Sequence, residues 1–129
     1  GTGNPEMLAA IAQARAGLDQ FVALAENPEP GMSVFKLKAI VRDGKKLETF
    51  WITPFRAVGE DFEGVVANTP EIVGNVSLGE TIRIPRAHVA DWGYVRNGRQ
   101  VGSFTVCVLF RYMPPETADY FRRTNGFDC

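Results

Sequence analysis

The chain has 129 residues, with 14 Lys and Arg against 15 Asp and Glu and a formal charge of -1. So even a balance creates no field for nucleic acid or an anionic membrane, and neither is an expected partner. With 45% hydrophobic and 22% charged residues and no apolar run of membrane-spanning length, residues 1–129 read as one globular domain.

Gly1-Thr2-Gly3 opens the chain without an initiator methionine. A leader removed ahead of it fits that start, so exported (periplasmic) and cytoplasmic locations both stay open. Its Gly-x-Gly lies outside any strand-to-helix turn and is not a phosphate loop. Asn4-Pro5-Glu6 supplies an N-cap side chain, a proline for the first turn and an acid at the positive helix end. The spacing predicts a helix over about 4–26, with Leu8, Ile11, Leu18, Val22 and Ala25 as its buried stripe and Met7 and Phe21 at the edges. Asn27-Pro28-Glu29-Pro30-Gly31 stops it.

Phe35, Leu37, Ala39 and Val41 then alternate with Lys36, Lys38, Ile40 and Arg42 as a half-buried strand. Asp43-Gly44 turns the chain into a second strand, Leu47 to Phe55, and Gly59-Glu60-Asp61 leads to a third, Phe62 to Ala67. Asn68-Thr69-Pro70 breaks the pattern, 73–78 reads ambiguously, and Thr81 to Ile84 is a fourth strand stopped by Pro85. Arg86 to Ala90 reads as a turn or a helical fragment. Asn97-Gly98 lies between two strand-forming runs, and that pair best tolerates the two positive φ angles of a type I′ hairpin. Beyond it Phe104, Val106, Val108, Phe110 and Tyr112 fall on one face at period two, with Ser103, Thr105, Cys107, Leu109 and Arg111 on the other. A sixth strand is predicted there, its apolar row packed on Leu18 or Val22. Pro114-Pro115-Glu116 starts a short helix over about 115–124, with Gly126 near its C-cap.

The order gives an α+β fold: an N-terminal helix, a strongly bent antiparallel sheet of about six short strands over about 34–112, and a short C-terminal helix. Partial closure of the sheet into a barrel is a variant of the same reading.

The series F-W-I at 50–52, F-x-G at 62–64, N-x-P at 68–70, L-G-E at 78–80, D-W-x-Y at 91–94, N-G-R-x-V-G at 97–102 and F-T at 104–105 resembles the YegJ-like bacterial family, domain of unknown function 2314. The N-terminal M-L-A-A-I-A-Q-A-R-A is similar to the helix that precedes the domain in some members. The resemblance implies a small bacterial domain, sometimes exported, and brings no activity or catalytic residue with it.

Neither CxxC, HExxH nor GxSxG occurs and His88 is the lone histidine, so no metal or cofactor is expected. His88 with Asp91 three residues on could be a base and its orienting acid, as in a small hydrolase-like enzyme; a polar side chain near a turn is the favoured reading. Trp92 and Tyr94 share a face of a regular strand, and with Asp91 beside them could recognise a sugar, a peptide or a cation. Packing into a core edge, with Asp91 capping a turn, ranks ahead of that. Asn68 either stabilises its turn or offers its amide to a ligand.

Lys36, Lys38, Arg42, Lys45 and Lys46 make the first hairpin basic, but Asp43 and Glu48 interrupt it and Trp51 is its only aromatic platform, so it reads as a solvated face. Cys107 and Cys129 are either unrelated thiols or, if the last helix returns across the sheet, a disulfide. Taken together, the residues favour a non-catalytic binding module, monomeric or weakly dimeric. It would recognise a peptide, protein or small ligand through Trp92, Tyr94, Asp91, Asn68 and Trp51. An interaction or immunity-type protein that docks on a partner through its helices is the main alternative, ahead of the hydrolase.

Overall fold

A glycine divides the N-terminal helix that the sequence predicts as one. In the computed structural model, which describes residues 4–129, α1 (Pro5–Ala16) and α2 (Leu18–Glu26) meet at Gly17. Gly1-Thr2-Gly3 and the Gly-x-Gly reading lie outside the described residues. The Asn4 side chain accepts from the Glu6 and Met7 N–H groups at 2.9 and 3.3 Å and so caps α1. At Gly17 a Cβ would lie 3.1 Å from Trp92 Cζ2, so the indole occupies the space that a side chain would need. The buried face nevertheless runs on across the break, at spacings of four, four and three residues. Ala10, Ala14, Leu18 and Phe21 are buried, whereas Leu8, placed in the predicted stripe, is 50% exposed.

The chain folds as two compact units, interleaved in sequence. The first, residues 4–34 and 91–129, holds all four helices and a hairpin. Its strands β5 (Val89–Arg96) and β6 (Arg99–Gly102) pair from Gly93↔Gly102 to Arg96↔Arg99. Asn97 and Gly98 close the hairpin with φ of 49° and 79°, the two positive values of a type I′ turn. The Asn97 N–H donates to the Gly31 carbonyl at 2.9 Å and ties the turn to the segment after α2.

The predicted sixth strand is a helix, α3 (Phe104–Phe110), so the sheet ends at Gly102 and the apolar row on Leu18 or Val22 does not form. Two consecutive left-handed residues, Gly102 (φ 81°) and Ser103 (φ 55°), end β6 and redirect the chain. F-T-V-C-V-L-F is apolar at nearly every position, so its period-two pattern discriminates poorly between strand and helix. After it α4 (Pro115–Asn125) starts on a proline and ends at Gly126 in the left-handed conformation.

The second unit, residues 35–90, is an antiparallel meander of β1 (Met32–Asp43), β2 (Lys46–Val58), β3 (Asp61–Val66) and β4 (Thr81–Ile84). Period-two alternation puts Leu37, Ala39, Phe50, Ile52, Phe62, Val66 and Ile84 into its core. The β2–β3 register shifts between Ile52 and Phe55. Opposite that irregularity a Cβ on Gly64 would come within 2.4 Å of Ile52 Cγ2 and 2.8 Å of the Pro54 carbonyl, so only glycine fits. The ambiguous 73–78 run forms no strand, and Arg86–His88 is a single 3-10 turn. The fold is α+β, and its six-stranded antiparallel sheet stays open, without the partial barrel closure. No helix among the described residues is long and apolar enough to cross a membrane.

Candidate functional site

The D-W-x-Y stretch acts inward. Asp91 is fully buried, and its Oδ1 accepts from the N–H groups of Trp92 (2.8 Å) and Phe104 (3.2 Å). Its Oδ2 accepts from the Thr105 N–H (2.9 Å) and hydroxyl. Ser103, at the N-cap position of α3, makes no capping bond with its side chain, so the cap comes from strand β5 instead. Four donors occupy the two oxygens of Asp91, which leaves the carboxylate committed to the backbone rather than to orienting an imidazole.

Trp92 and Tyr94, at 8% and 4% exposure, are core rings. The Trp92 indole N–H donates to the Ala14 carbonyl at 2.7 Å, and the ring stacks on Phe21 at 4.8 Å and meets Phe104 edge-on at 5.3 Å. Tyr94 lies 6.2 Å from Phe21 in a second stacked pair. Both rings are packed against Phe21 inside this unit. A Cβ at Gly102 would come within 2.4 Å of the Trp92 carbonyl, so the N-G-R-x-V-G stretch also ends on a packing requirement.

What these residues hold in place is α3, and α3 lines a cleft. The cleft has a volume of about 550 Å³ and is bounded by α1, α3, Arg122 of α4 and Cys129. Ala9, Ala10, Phe104, Val108 and Phe110 give it apolar walls; Glu6, Gln13, Arg111 and Arg122 supply polar groups. Arg111 Nη1 lies 2.9 Å from Glu6 Oε2. Arg122 stacks over Phe110 at 5.4 Å, donates through Nε and Nη2 to the Cys129 carbonyl at 3.0 and 2.8 Å, and pairs with Asp119 at 2.7 Å. Cys107 and Cys129, both lining the cleft, are joined by a disulfide with Cα atoms 5.6 Å apart. Both guanidiniums are thus paired, Arg111 with Glu6 and Arg122 with Asp119.

The remaining candidates lie in the meander and do not converge on a cleft. Asn68 Oδ1 accepts from the Trp51 N–H at 2.7 Å, a backbone role. The ammonium groups of Lys36 and Lys38 lie 4.2 and 4.9 Å from the Trp51 ring centroid, so the basic face folds onto its aromatic. His88 closes the 3-10 turn and borders a hollow of about 220 Å³ with Arg42 and Arg83. That is smaller than the roughly 300–1,000 Å³ usual for ligand sites. Among the described residues no group of three His, Cys, Asp or Glu could hold a metal ion.

One carboxylate in the meander has an organising role that its sequence position does not announce. Glu48 accepts from the N–H groups of Glu71, Ile72 and Val73 at 2.8–3.2 Å, and Asp43 accepts from Gly74 at 2.8 Å. The Asn75 amide donates to the Arg42 carbonyl at 2.9 Å. Desolvation raises the affinity of Glu48 for a proton, but the three backbone donors together outweigh it and hold its pKa below the ordinary value.

The profile of a family described as "Uncharacterized protein conserved in bacteria (DUF2314)" matches residues 4–129. The chain belongs to this family. It is similar to the Escherichia coli (strain K12) "Uncharacterized protein YegJ", with 33% identity over 113 residues, 88% of this chain and 72% of that protein. It is also similar to the Neisseria meningitidis serogroup B "Putative ankyrin repeat protein NMB1133/NMB1171", with 34% identity over 74 residues, 57% of this chain and 29% of that one. No solved structure matches it. The family motifs map onto supports: Asp91 caps α3, Trp92 holds α1, Gly64 and Gly102 admit close neighbours, and Asn68 holds the β2 backbone. Of the cleft residues, Ala9 and Gln13 lie in the N-terminal M-L-A-A-I-A-Q-A-R-A stretch and Val108 and Arg122 outside every motif, and only a helical reading of 104–110 would have grouped them.

Proposed function

We propose that this family member is a non-catalytic binding module whose ligand, a small molecule with an apolar body and one anionic group, sits in the α1–α3 cleft. The supporting observation is the cleft itself. Its volume of about 550 Å³ lies inside the roughly 300–1,000 Å³ typical of small-molecule sites. Apolar walls suit the body, and the Arg111 guanidinium, which meets Glu6 through Nη1, suits a carboxylate or sulfonate. The test uses naphthalene-2-carboxylate as the probe in a ¹H–¹⁵N titration. Shifts should cluster on α1, α3 and residues 122–129. Ala9→Trp, at an exposed helix position, should fill the cleft and abolish them. No shifts, or shifts indifferent to Ala9→Trp, would remove this reading.

A second reading, docking on a partner protein, has one observation in its favour: the likeness to a chain named as a putative ankyrin repeat protein, of which the shared segment is 29%.

A further inference from the structure

We infer that the Cys107–Cys129 cystine is a site of thiol–disulfide exchange that governs the cleft, with a dithiol protein or small dithiol as its reaction partner. This rests on the cleft being the binding site. Both cysteines line it, one on α3 and one beyond α4. Cys129 is exposed and Cys107 is half-buried, so an incoming thiolate reaches the Cys129 sulfur first.

The segment carrying Cys129 lies along β6. The Gln100 N–H donates to the Gly126 carbonyl at 3.0 Å, and its side-chain amide to the Asn125 carbonyl at 2.9 Å. Gly126 (φ 76°) passes so close to the hairpin turn that a Cβ would come within 2.1 Å of the Gly98 carbonyl. Asp128 pairs with Arg99, and Phe127 meets Phe110 edge-on at 5.1 Å. The Arg99 and Asp128 side chains are 56% and 68% exposed, so that pair contributes little. The covalent link is the anchor that fixes Cys129 as part of the cleft.

The exchange balances as follows. A partner thiolate attacks the Cys129 Sγ, the Cys107–Cys129 bond breaks, and its electron pair leaves on the Cys107 sulfur, which takes up a proton. The partner's second thiolate then displaces Cys129 from the mixed disulfide, and Cys129 is protonated in turn. Two electrons and two protons have passed from the dithiol to the cystine, and the partner is left as a disulfide. Reduction releases residues 126–129, removes Cys129 from the cleft and takes from Arg122 the carbonyl that it holds.

The experiment compares the oxidised chain, the dithiothreitol-reduced chain and Cys107→Ser/Cys129→Ser. Amide exchange is read at Gln100, with Trp92, held by Asp91, as the internal reference for global unfolding. Reduction and the double substitution should each lower protection at Gln100 about tenfold, leave Trp92 protected, and weaken naphthalene-2-carboxylate about tenfold; reoxidation should restore both. Limiting glutathione should give a mixed disulfide on the Cys129 peptide. Gln100 protection that ignores reduction, loss of protection at Trp92 in step with it, or an adduct on Cys107 would each overturn the inference. Equal probe affinity in the two redox states overturns it while the cleft reading stands. No binding to the oxidised chain removes the cleft reading, and this inference with it.

Discussion

Asp91 in the helical unit and Glu48 in the meander do the same work in opposite surroundings. Each gathers consecutive backbone N–H groups onto one carboxylate: Phe104 and Thr105 at the start of α3, and Glu71 to Val73 in the loop before β4. Asp91 is fully buried, whereas Glu48 is only half-buried and its donors Glu71 and Ile72 are exposed, where water can replace either partner. The difference teaches that a capping bond matters in proportion to what its donors would face without it. Around Asp91 the donors would have no water. Around Glu48 they would be hydrated, and what is lost is the position of the loop.

The largest expected effect follows from removing the buried cap. Asp91→Ala strands the α3 donors and should cost about 3–4 kcal/mol, read as a fall in the urea midpoint. Glu48→Ala should move that midpoint far less and act locally, speeding exchange at Ile72 and Val73. Equal shifts in the two variants would break the comparison, because burial would then not separate them.

A finer contrast comes from the neutral isosteres. Asp91→Asn keeps the shape but turns an NH₂ group toward donors, and should cost about 1–2 kcal/mol with Thr105 losing protection first. If Asp91→Asn matched wild type in both measures, the charge on Asp91 would have no part in the cap.

The smallest effect is a pH response confined to the loop. The folded-state pKa of Glu48 is lowered, so its contribution is fully present above the ordinary glutamate value and is lost as pH falls through the lowered one. Protection factors at Ile72 and Val73 should therefore fall in that acidic window and be flat above it. Glu48→Gln should show no such step. A step of equal size in Glu48→Gln would assign it to another group.

Local chemistry was read correctly where one or two residues decide the backbone. Asn97-Gly98 closes its hairpin, Asn4 caps α1 and Gly126 ends α4, each through an effect contained in a few adjacent positions. Elements decided by distant partners were not. The cap that makes 104–110 a helix comes from Asp91, 13 residues before Phe104, and no window around F-T-V-C-V-L-F contains it. The buried face of the N-terminal helices follows Ala10, Ala14, Leu18 and Phe21 rather than the larger Leu8, because the Trp92 indole packs there, against Gly17 75 positions away by number. Glu48 looked like an interruption in a basic hairpin, since its donors are the backbone of residues 71–73, which side-chain identity does not encode. The cleft escaped for the same reason: its walls belong to a helix read as a strand.

The two tryptophans fall one to each unit. Trp92 lies in a dry aromatic stack with its indole N–H bonded to a carbonyl, and Trp51 is half-exposed beneath two ammonium groups. Their emission therefore differs in colour and in access to a soluble quencher such as acrylamide. A chain carrying only one indole, with phenylalanine in place of the other, becomes an optical gauge of a single unit. The pair of such chains can time the melting of the helical unit and of the meander separately, without a label.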